Sequence, residues 1–447
     1  MLPRGSLSSF LTTARNSLRS AIINQQHVSL VIGNESCDLD SITSAITLAY
    51  LKSSSAPSTS IVVNSVHNRQ QLPQQHPPLY VPMLNITSRD ISIRPELLAL
   101  LPHVGLKQEH LITLDDLRAD SSAELNTNNA ASLQPHLTRL ILTDHNKLAG
   151  QLSPDFDSCV IGCIDHHVDE GIVPTSKSDE PRIIDTTGSC TSLVVRYCEE
   201  YWNALSSSAD NSSGGSGQDD ATIGSDDAIV RRKWDTQVAK LAIASILVDT
   251  NNLQNEDKTT DHDIKACKYL EAIITTSDVS WERSTFFREI KSAKNNLDGL
   301  SVNDLLRKDY KQWSVDGKEL GVSSIVKQIQ WQVENPAKND KHKFLDELRK
   351  FAKERGVDVM CIMTTSASRE GDFQRELLLW TLESENGFVD KFEEAYGQEL
   401  RLEPWQGLEH LSGSSQEGMG NLKIWWQRAT ANSRKQVAPM LRECLQK

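Results

Sequence analysis

The sequence predicts an α/β protein: a parallel sheet in the amino-terminal two thirds, then a smaller unit of strands and helices. Three observations carry this. Short runs of β-type apolar residues recur, helical patterns separate several of them, and several end abruptly in Asp or His. The bulk numbers agree. At 447 residues there is room for two or three domains, and 38% hydrophobic with 24% charged residues describes a globular chain. No apolar run approaches the roughly 18 residues that cross a bilayer. The net charge of -13 supplies no basic face for general nucleic-acid binding. Eight cysteines without a CxxC pair suit a reducing, cytoplasmic compartment and argue against a zinc–cysteine site.

The elements follow in order. Residues 1–26 carry three arginines and no acid, a composition that allows a mitochondrial transit peptide and hence a minor mitochondrial pool. Leu7, Phe10, Leu11, Ala14 and Leu18 nevertheless share one helical face, and a strand follows at once, which favours a structural helix. HVSLVIG (27–33) reads as a buried strand and DSITSAITLAYLKSS (40–54) as the next helix. SIVVNSV (60–66), HLITLDD (110–116), LTRLILTDHN (137–146) and DSCVIGCIDHH (157–167) read as further strands. GSCTSLVVRYCEEYWNAL (188–205) is a helix, the Ser/Gly-rich acidic stretch 206–227 a disordered insertion, and RKWDTQVAKLAIASILVDTNN (232–252) a long helix ending in Asp249. The pattern changes after NNLDGLS (295–301), where a boundary falls near 297. The expected domains are 1–296 and 303–447, joined by a linker at 297–302. LLRKDYKQWSVDGKELGVSSIVKQI (305–329) then reads as strands around an Asp-Gly turn.

Four stretches end in the same chemistry. VIGNESCDLDS opens a helix with Asp38-x-Asp40, LILTDHN ends in Asp144-His145, the strand at 159–164 ends in Asp165-His166-His167, and ILVDTNN ends in Asp249. Each has a structural alternative: an Asp at a helix start caps free amides, most naturally Asp40 here, and a lone histidine is usually a satisfied one. Together they converge, because parallel strands present their carboxyl ends on one edge. Several carboxylates cannot remain ionised side by side without cations. Oxygen-rich donors with one or two imidazoles suit Mg²⁺ or Mn²⁺, and two such ions about 3.5–4 Å apart would hold a hydroxide against a phosphoryl group.

NESCDLDS, TDHN, IDHH and LVDTNN, in that order and spacing, resemble the four motifs of the DHH phosphoesterase superfamily. ANSRKQVAP (431–439) and RKDYKQW (307–313) resemble the phosphate-binding stretches of the DHHA2 branch, as in family II pyrophosphatases. The first motif is most similar to that of the yeast-type exopolyphosphatase group, and animal prune proteins share the branch. The resemblance implies a parallel-sheet DHH domain and a smaller mixed-sheet DHHA2 domain, with the active site in the cleft between them. It implies two divalent ions held by Asn34, Asp38, Asp40, Asp144, His166 and Asp249, with Asp144 bridging. Family II pyrophosphatases have histidine where this chain has Asn34, and a neutral oxygen there should favour Mg²⁺ over softer ions.

By the same resemblance His167 contacts substrate phosphate or the second ion, and Asp165 supports a ligand histidine from behind. His145 is a candidate general acid for the leaving phosphate. Lys311, Arg375, Arg434 and Lys435 are expected to bind substrate, with Arg307, Lys308, Lys327 and Arg369 lining a channel for a longer chain. The expected activity is release of orthophosphate from the ends of inorganic polyphosphate by a monomer that uses neither nucleic acid nor membrane. The alternatives are a pyrophosphatase, a nucleotide phosphodiesterase, or a prune-like scaffold.

Overall fold

A computed structural model of the chain describes residues 5–54, 79–119, 131–175, 180–210, 221–368, 370–381, 387–405 and 422–446. The chain divides into two compact units, Met1–Lys294 and Asn295–Lys447. Each is described by itself.

The amino-terminal unit is built on five strands: β1 (Val28–Ile32), β2 (Tyr80–Met83), β3 (Thr138–Thr143), β4 (Val160–Asp165) and β5 (Arg182–Ile184). Their order is β2-β1-β3-β4-β5, and every pairing is parallel. Leu30 pairs with Val81 on one side and Leu140 on the other. All five strands therefore run out at one edge. β1 is buried along its whole length, as a central strand of a covered sheet must be.

Among the described residues, seven helices of nine or more residues clothe and extend this sheet: α1 (Leu7–Asn24), α2 (Leu39–Ser54), α3 (Pro95–His103), α4 (Cys190–Asp210), α5 (Ala221–Asp249), α6 (Asp261–Thr275) and α7 (Arg283–Asn295). Side-chain alternation splits the core in two. Leu30, Ile32, Leu140, Leu142 and Cys163 pack with Ala14, Leu18 and Ile22 of α1. Val31, Ile141 and Ile164 pack with the apolar faces of α2, α4 and α5. The predicted α1 is present, with Leu7, Phe10, Leu11, Ala14 and Leu18 all buried. Gly33 ends β1 where α2 crosses it; a Cβ there would lie 2.7 Å from Ser41 Cβ, so only glycine permits this approach.

Several expectations need correction. HLITLDD is not a strand. It forms two 3₁₀ turns, Gln108–His110 and Leu114–Leu117, with one isolated bridge from Thr113 to Leu84. The cause is part local and part distant: Asp116 accepts the Thr113 N–H at 2.8 Å, and Arg15 of α1 takes the carbonyls of Glu109 and Leu111 that a ladder would have used. β2 is not among the expected strands; its Pro82 removes a donor, but β2 lies at the sheet edge, where that loss is harmless. The three-residue edge strand β5 was missed too. The stretch 206–227 is not irregular throughout: α4 continues to Asp210 and α5 begins at Ala221. The expected strand at 60–66 lies outside the described residues.

The carboxyl-terminal unit holds a mixed six-stranded sheet of β6 (Tyr310–Val315), β7 (Lys318–Ile325), β8 (Val359–Thr364), β9 (Glu376–Thr381), β10 (Leu402–Pro404) and β11 (Leu422–Gln427). The order is β10-β11-β9-β8-β7-β6; β7 and β8 pair in parallel and the other neighbours are antiparallel. The Asp-Gly turn is where the sequence put it. Asp316 (φ 49°) and Gly317 (φ 81°) are both left-handed, which suits the twist of a two-residue hairpin. Helices Lys341–Arg355 and Arg434–Gln446 pack on opposite faces of the sheet.

All eight cysteines are buried and unpaired. Among the described residues, no helix is long and apolar enough to cross a membrane.

Candidate metal centre

Asp144 stands where β3 leaves the sheet. Its N–H continues the ladder to the Ile164 carbonyl at 3.0 Å, but its φ of 62° turns the chain out of the strand into a left-handed conformation that is uncommon for a non-glycine residue. This turn aims the side chain along the sheet edge. Oδ2 accepts from Ser41 Oγ at 2.6 Å and from Asn34 Nδ2 at 2.7 Å. Oδ1 faces His166 Nε2 at 3.2 Å.

The two histidines are set from behind. His166 Nδ1 lies 2.9 Å from the Thr187 carbonyl, which can only accept, so that nitrogen carries the proton and Nε2 presents its lone pair toward Asp144. His167 Nδ1 donates to Asp165 Oδ1 at 2.7 Å. The same oxygen accepts the backbone N–H groups of His166 and His167 at 2.7 and 3.2 Å, and Oδ2 accepts from Asn146 Nδ2. Burial would raise the Asp165 carboxyl, but His167 beside it holds it well below the usual carboxylate range. Asp165 therefore orients the His-His exit from beneath. One ligand atom from each of Asp144, His166 and His167 lies within 4.8 Å of the others.

The other expected ligands are used in a more varied way. Asp38 caps its own helix, with Oδ1 accepting the Ser41 N–H at 3.0 Å. The assignment of that cap to Asp40 is corrected. Asp40 caps α4 instead: Oδ1 accepts from Ser189 Oγ (2.6 Å), Thr191 Oγ1 (2.7 Å) and Thr191 N (3.0 Å), and Oδ2 from Cys190 N (2.6 Å). Asn34 also departs from expectation. Its Oδ1 accepts from Ser36 N, Ser36 Oγ and Cys37 N at 2.7–3.2 Å. Backbone N–H groups can face only the oxygen of the carboxamide, so the amide nitrogen must face Asp144. Asn34 thus closes its own loop and steadies Asp144. Arg94, fully buried, fixes the same loop by donating to the carbonyls of Ser36 and Cys37 at 2.6 and 2.7 Å.

Charge crowding ties the remaining carboxylates to this centre. Asp144 is pushed up to about 7, by burial first and then by Asp38, with Asp40 adding to it. Asp249 at the end of α5 is likewise pushed up to about 7 by burial; Lys294 opposes this, while Asp40 and Asp38 add to it. Asp144 and Asp249 thus both lie in the field of Asp38 and Asp40. That field, with two imidazoles whose Nδ1 protons are already committed, fits hard divalent cations. Ser41, Asn146 and the Thr187 carbonyl also hold this centre in place; the first two lie within NESCDLDS and TDHN, while a backbone carbonyl leaves no mark in a sequence.

His145 follows Asp144 and is buried, its Nδ1 donating to the Thr143 carbonyl at 2.9 Å. In the carboxyl-terminal unit, Arg434 opens the last helix and donates to the Asp309 carbonyl (2.9 Å) and Oδ1 (2.7 Å). Arg375 donates from Nε to the Thr430 carbonyl at 2.7 Å and lies over the Phe373 ring. Lys311 lies on β6, and Lys435 follows Arg434 on the same helix. Arg307 pairs with Asp304 at 2.6 Å and Lys327 lies over Trp331. Arg369 lies outside the described residues.

A parallel α/β unit carrying an Asp/His centre at the carboxyl edge of its sheet, followed by a mixed-sheet unit, defines the class. Residues 29–213 match the model of the DHH family, N-terminal domain, and residues 288–444 match that of the DHHA2 domain. A Schizosaccharomyces pombe protein named "Putative exopolyphosphatase" is 32% identical over 444 residues, covering 97% of each chain. The chain belongs to the DHH/DHHA2 family of phosphoesterases. Human "Exopolyphosphatase PRUNE1" is 23% identical over 430 residues, covering 96% of this chain and 78% of its own length. A Methanococcus jannaschii structure described as a "putative family II inorganic pyrophosphatase" superposes with a TM-score of 0.52 at 20% identity, covering 93% of this chain and 99% of that one, a likeness of fold.

Proposed function

We propose that the chain is an exopolyphosphatase that releases orthophosphate from the ends of inorganic polyphosphate with two Mg²⁺- or Mn²⁺-class ions. The observation that carries the reading is the pairing of Asp144 Oδ1 with His166 Nε2 at 3.2 Å, both atoms fixed from behind, at the edge where Asp38, Asp40 and Asp249 crowd. Asp38, Asp144, His166 and Asp249 would hold the ions, with Asp40 supplying charge from its capping position. When bound, such ions lower the pKa of water and polarise a phosphoryl oxygen.

The chain's own residues do the rest. Ser41 and Asn34 keep one Asp144 oxygen occupied, so the other is the one presented. Asp165 holds the His167 ring through its Nδ1 proton, and a protonated His167 would donate from Nε2 to a phosphate oxygen. His145 has its Nδ1 proton committed to the Thr143 carbonyl, leaving Nε2 as the atom through which a proton reaches the departing phosphate. Lys311, Arg375, Arg434 and Lys435 would bind the substrate chain, Arg434 as a guanidinium already oriented by Asp309.

The test is orthophosphate release with Mg²⁺ from long-chain polyphosphate and from pyrophosphate, side by side, with a chelator control. Release from polyphosphate with pyrophosphate left over is expected. Rapid pyrophosphate cleavage would replace the substrate assignment, and silence on both would point to a nucleotide substrate or a scaffold.

A further inference from the structure

The last helix, Arg434–Gln446, begins on the two cations expected to bind phosphate, so the chain that leads into it decides where they stand. That connection, residues 428–433, is held largely by side chains. Gln427, the final residue of β11, is only 1% exposed. Its Nε2 donates to the Ala429 carbonyl at 3.0 Å and to the Asn432 carbonyl at 2.6 Å. Carbonyls only accept, so chemistry fixes which way this amide points. Between them, the Thr430 carbonyl accepts from Arg375 Nε at 2.7 Å. From the far side Gln436, exposed on the first turn of the helix, accepts the Ser433 N–H at 3.0 Å and the Ser433 hydroxyl at 2.9 Å. Two glutamines thus grip one connection, the first by its carbonyls and the second by its donors.

Gln427 carries a cost that a purely structural role does not explain. Its Oε1 is buried and has no hydrogen-bond partner among the described residues. A buried oxygen left unanswered opposes folding, and an apolar side chain of the same length would avoid it. What the position uses is therefore the donor half of the amide, which is spent on the path into the helix. We infer that Gln427 is a positioning residue for phosphate binding: together with Gln436 it fixes the start of the last helix, and so the place of Arg434 and Lys435, without touching substrate itself. The inference rests on the proposed role of Arg434 and Lys435 as phosphate contacts. Asp309 orients the Arg434 guanidinium, whereas Gln427 sets the backbone from which that side chain springs. Such preorganisation raises affinity by removing an ordering cost from the binding step.

The experiment is a double-mutant cycle on the full chain in Mg²⁺, read by calorimetry. The probe is tripolyphosphate with methylene groups in place of its bridging oxygens, which cannot be hydrolysed. Orthophosphate release from ordinary polyphosphate is followed in parallel. Gln427→Met keeps the length of the side chain and discards both the loop bonds and the unanswered oxygen, so its melting temperature should stay close to that of the wild type. It should weaken binding of the analogue about tenfold, raise KM more than it lowers kcat, and leave Mg²⁺ affinity unchanged. In an Arg434→Ala background the same change should cost much less, because the group it positions is gone. Equal losses in both backgrounds would overturn the inference. So would unchanged affinity in either single variant, or failure of the wild-type chain to bind the analogue. If Gln427→Met melts early, Gln436→Ala on the exposed side enters the same cycle, and additive losses there overturn the inference as well. Gln427-dependent binding without orthophosphate release would keep the positioning role and remove the exopolyphosphatase reading; release with a KM indifferent to Gln427 would do the reverse.

Discussion

Asp40 and Thr191 are bound to each other twice. The Asp40 carboxylate accepts both the backbone N–H and the hydroxyl of Thr191, and Ser189 and Cys190 complete the set. Thr191 Oγ1 in turn meets Thr43, Ser44 and Ser245 at 2.8–3.0 Å, so a ligand-motif aspartate is also the hub of a hydroxyl network joining α2, α4 and α5. Asp40→Asn should therefore cost stability as well as turnover. Its amide nitrogen would face donors it cannot satisfy, a loss of about 2–3 kcal/mol, read as a lower denaturant midpoint with and without Mg²⁺.

Asp144→Asn should behave differently. Asparagine tolerates the left-handed conformation found here, and removing the charge relieves the crowding that pushes Asp144 up to about 7. The variant should lose nearly all turnover, yet in chelator melt no earlier than the wild type. A folded variant with normal activity would remove Asp144 from the centre.

Arg94→Lys should loosen the loop that carries Asp38. The guanidinium holds the carbonyls of Ser36, Cys37 and Asp90, while Cys37 sits at φ 48°. A lysine cannot span all three in the same plane. The expected result is weaker Mg²⁺ binding, by calorimetry, together with a lower melting temperature; unchanged metal affinity would make Arg94 a purely structural residue.

Asp263 should control the acid limb of stability. Burial would raise its carboxyl, but Ser192 and the N–H groups of Thr260 and Gly188, with Thr187, hold it below the ordinary carboxylate value. A folded pKa lowered in this way stabilises the fold above the unfolded value, and the contribution disappears as pH falls from about 4 through the folded pKa. Asp263→Asn should thus be destabilised by about 2 kcal/mol at neutral pH and show a flatter stability profile below pH 4, measured by denaturant titration across pH.

The sequence made the sheet legible wherever an apolar run ended in Asp or His, because period and punctuation are local. β3, β4, α5 and the Asp316-Gly317 turn were all visible for that reason. What stayed hidden was set by distant partners. Asp40 caps a helix that begins about 150 residues later, and nothing near DLDS announces it. Asn34 looks like a ligand in sequence, and nothing near it announces that the N–H groups of Ser36 and Cys37 also reach its oxygen.

Every thiol in the chain is hidden, six in the amino-terminal unit (Cys37, Cys159, Cys163, Cys190, Cys198 and Cys267) and two in the carboxyl-terminal unit (Cys361 and Cys444). The folded molecule is thus nearly silent to alkylating reagents, and each alkylation event records an opening. Mass-resolved labelling would time the breathing of the two units separately, with no engineered probe, and would show whether filling the metal centre slows the first without touching the second.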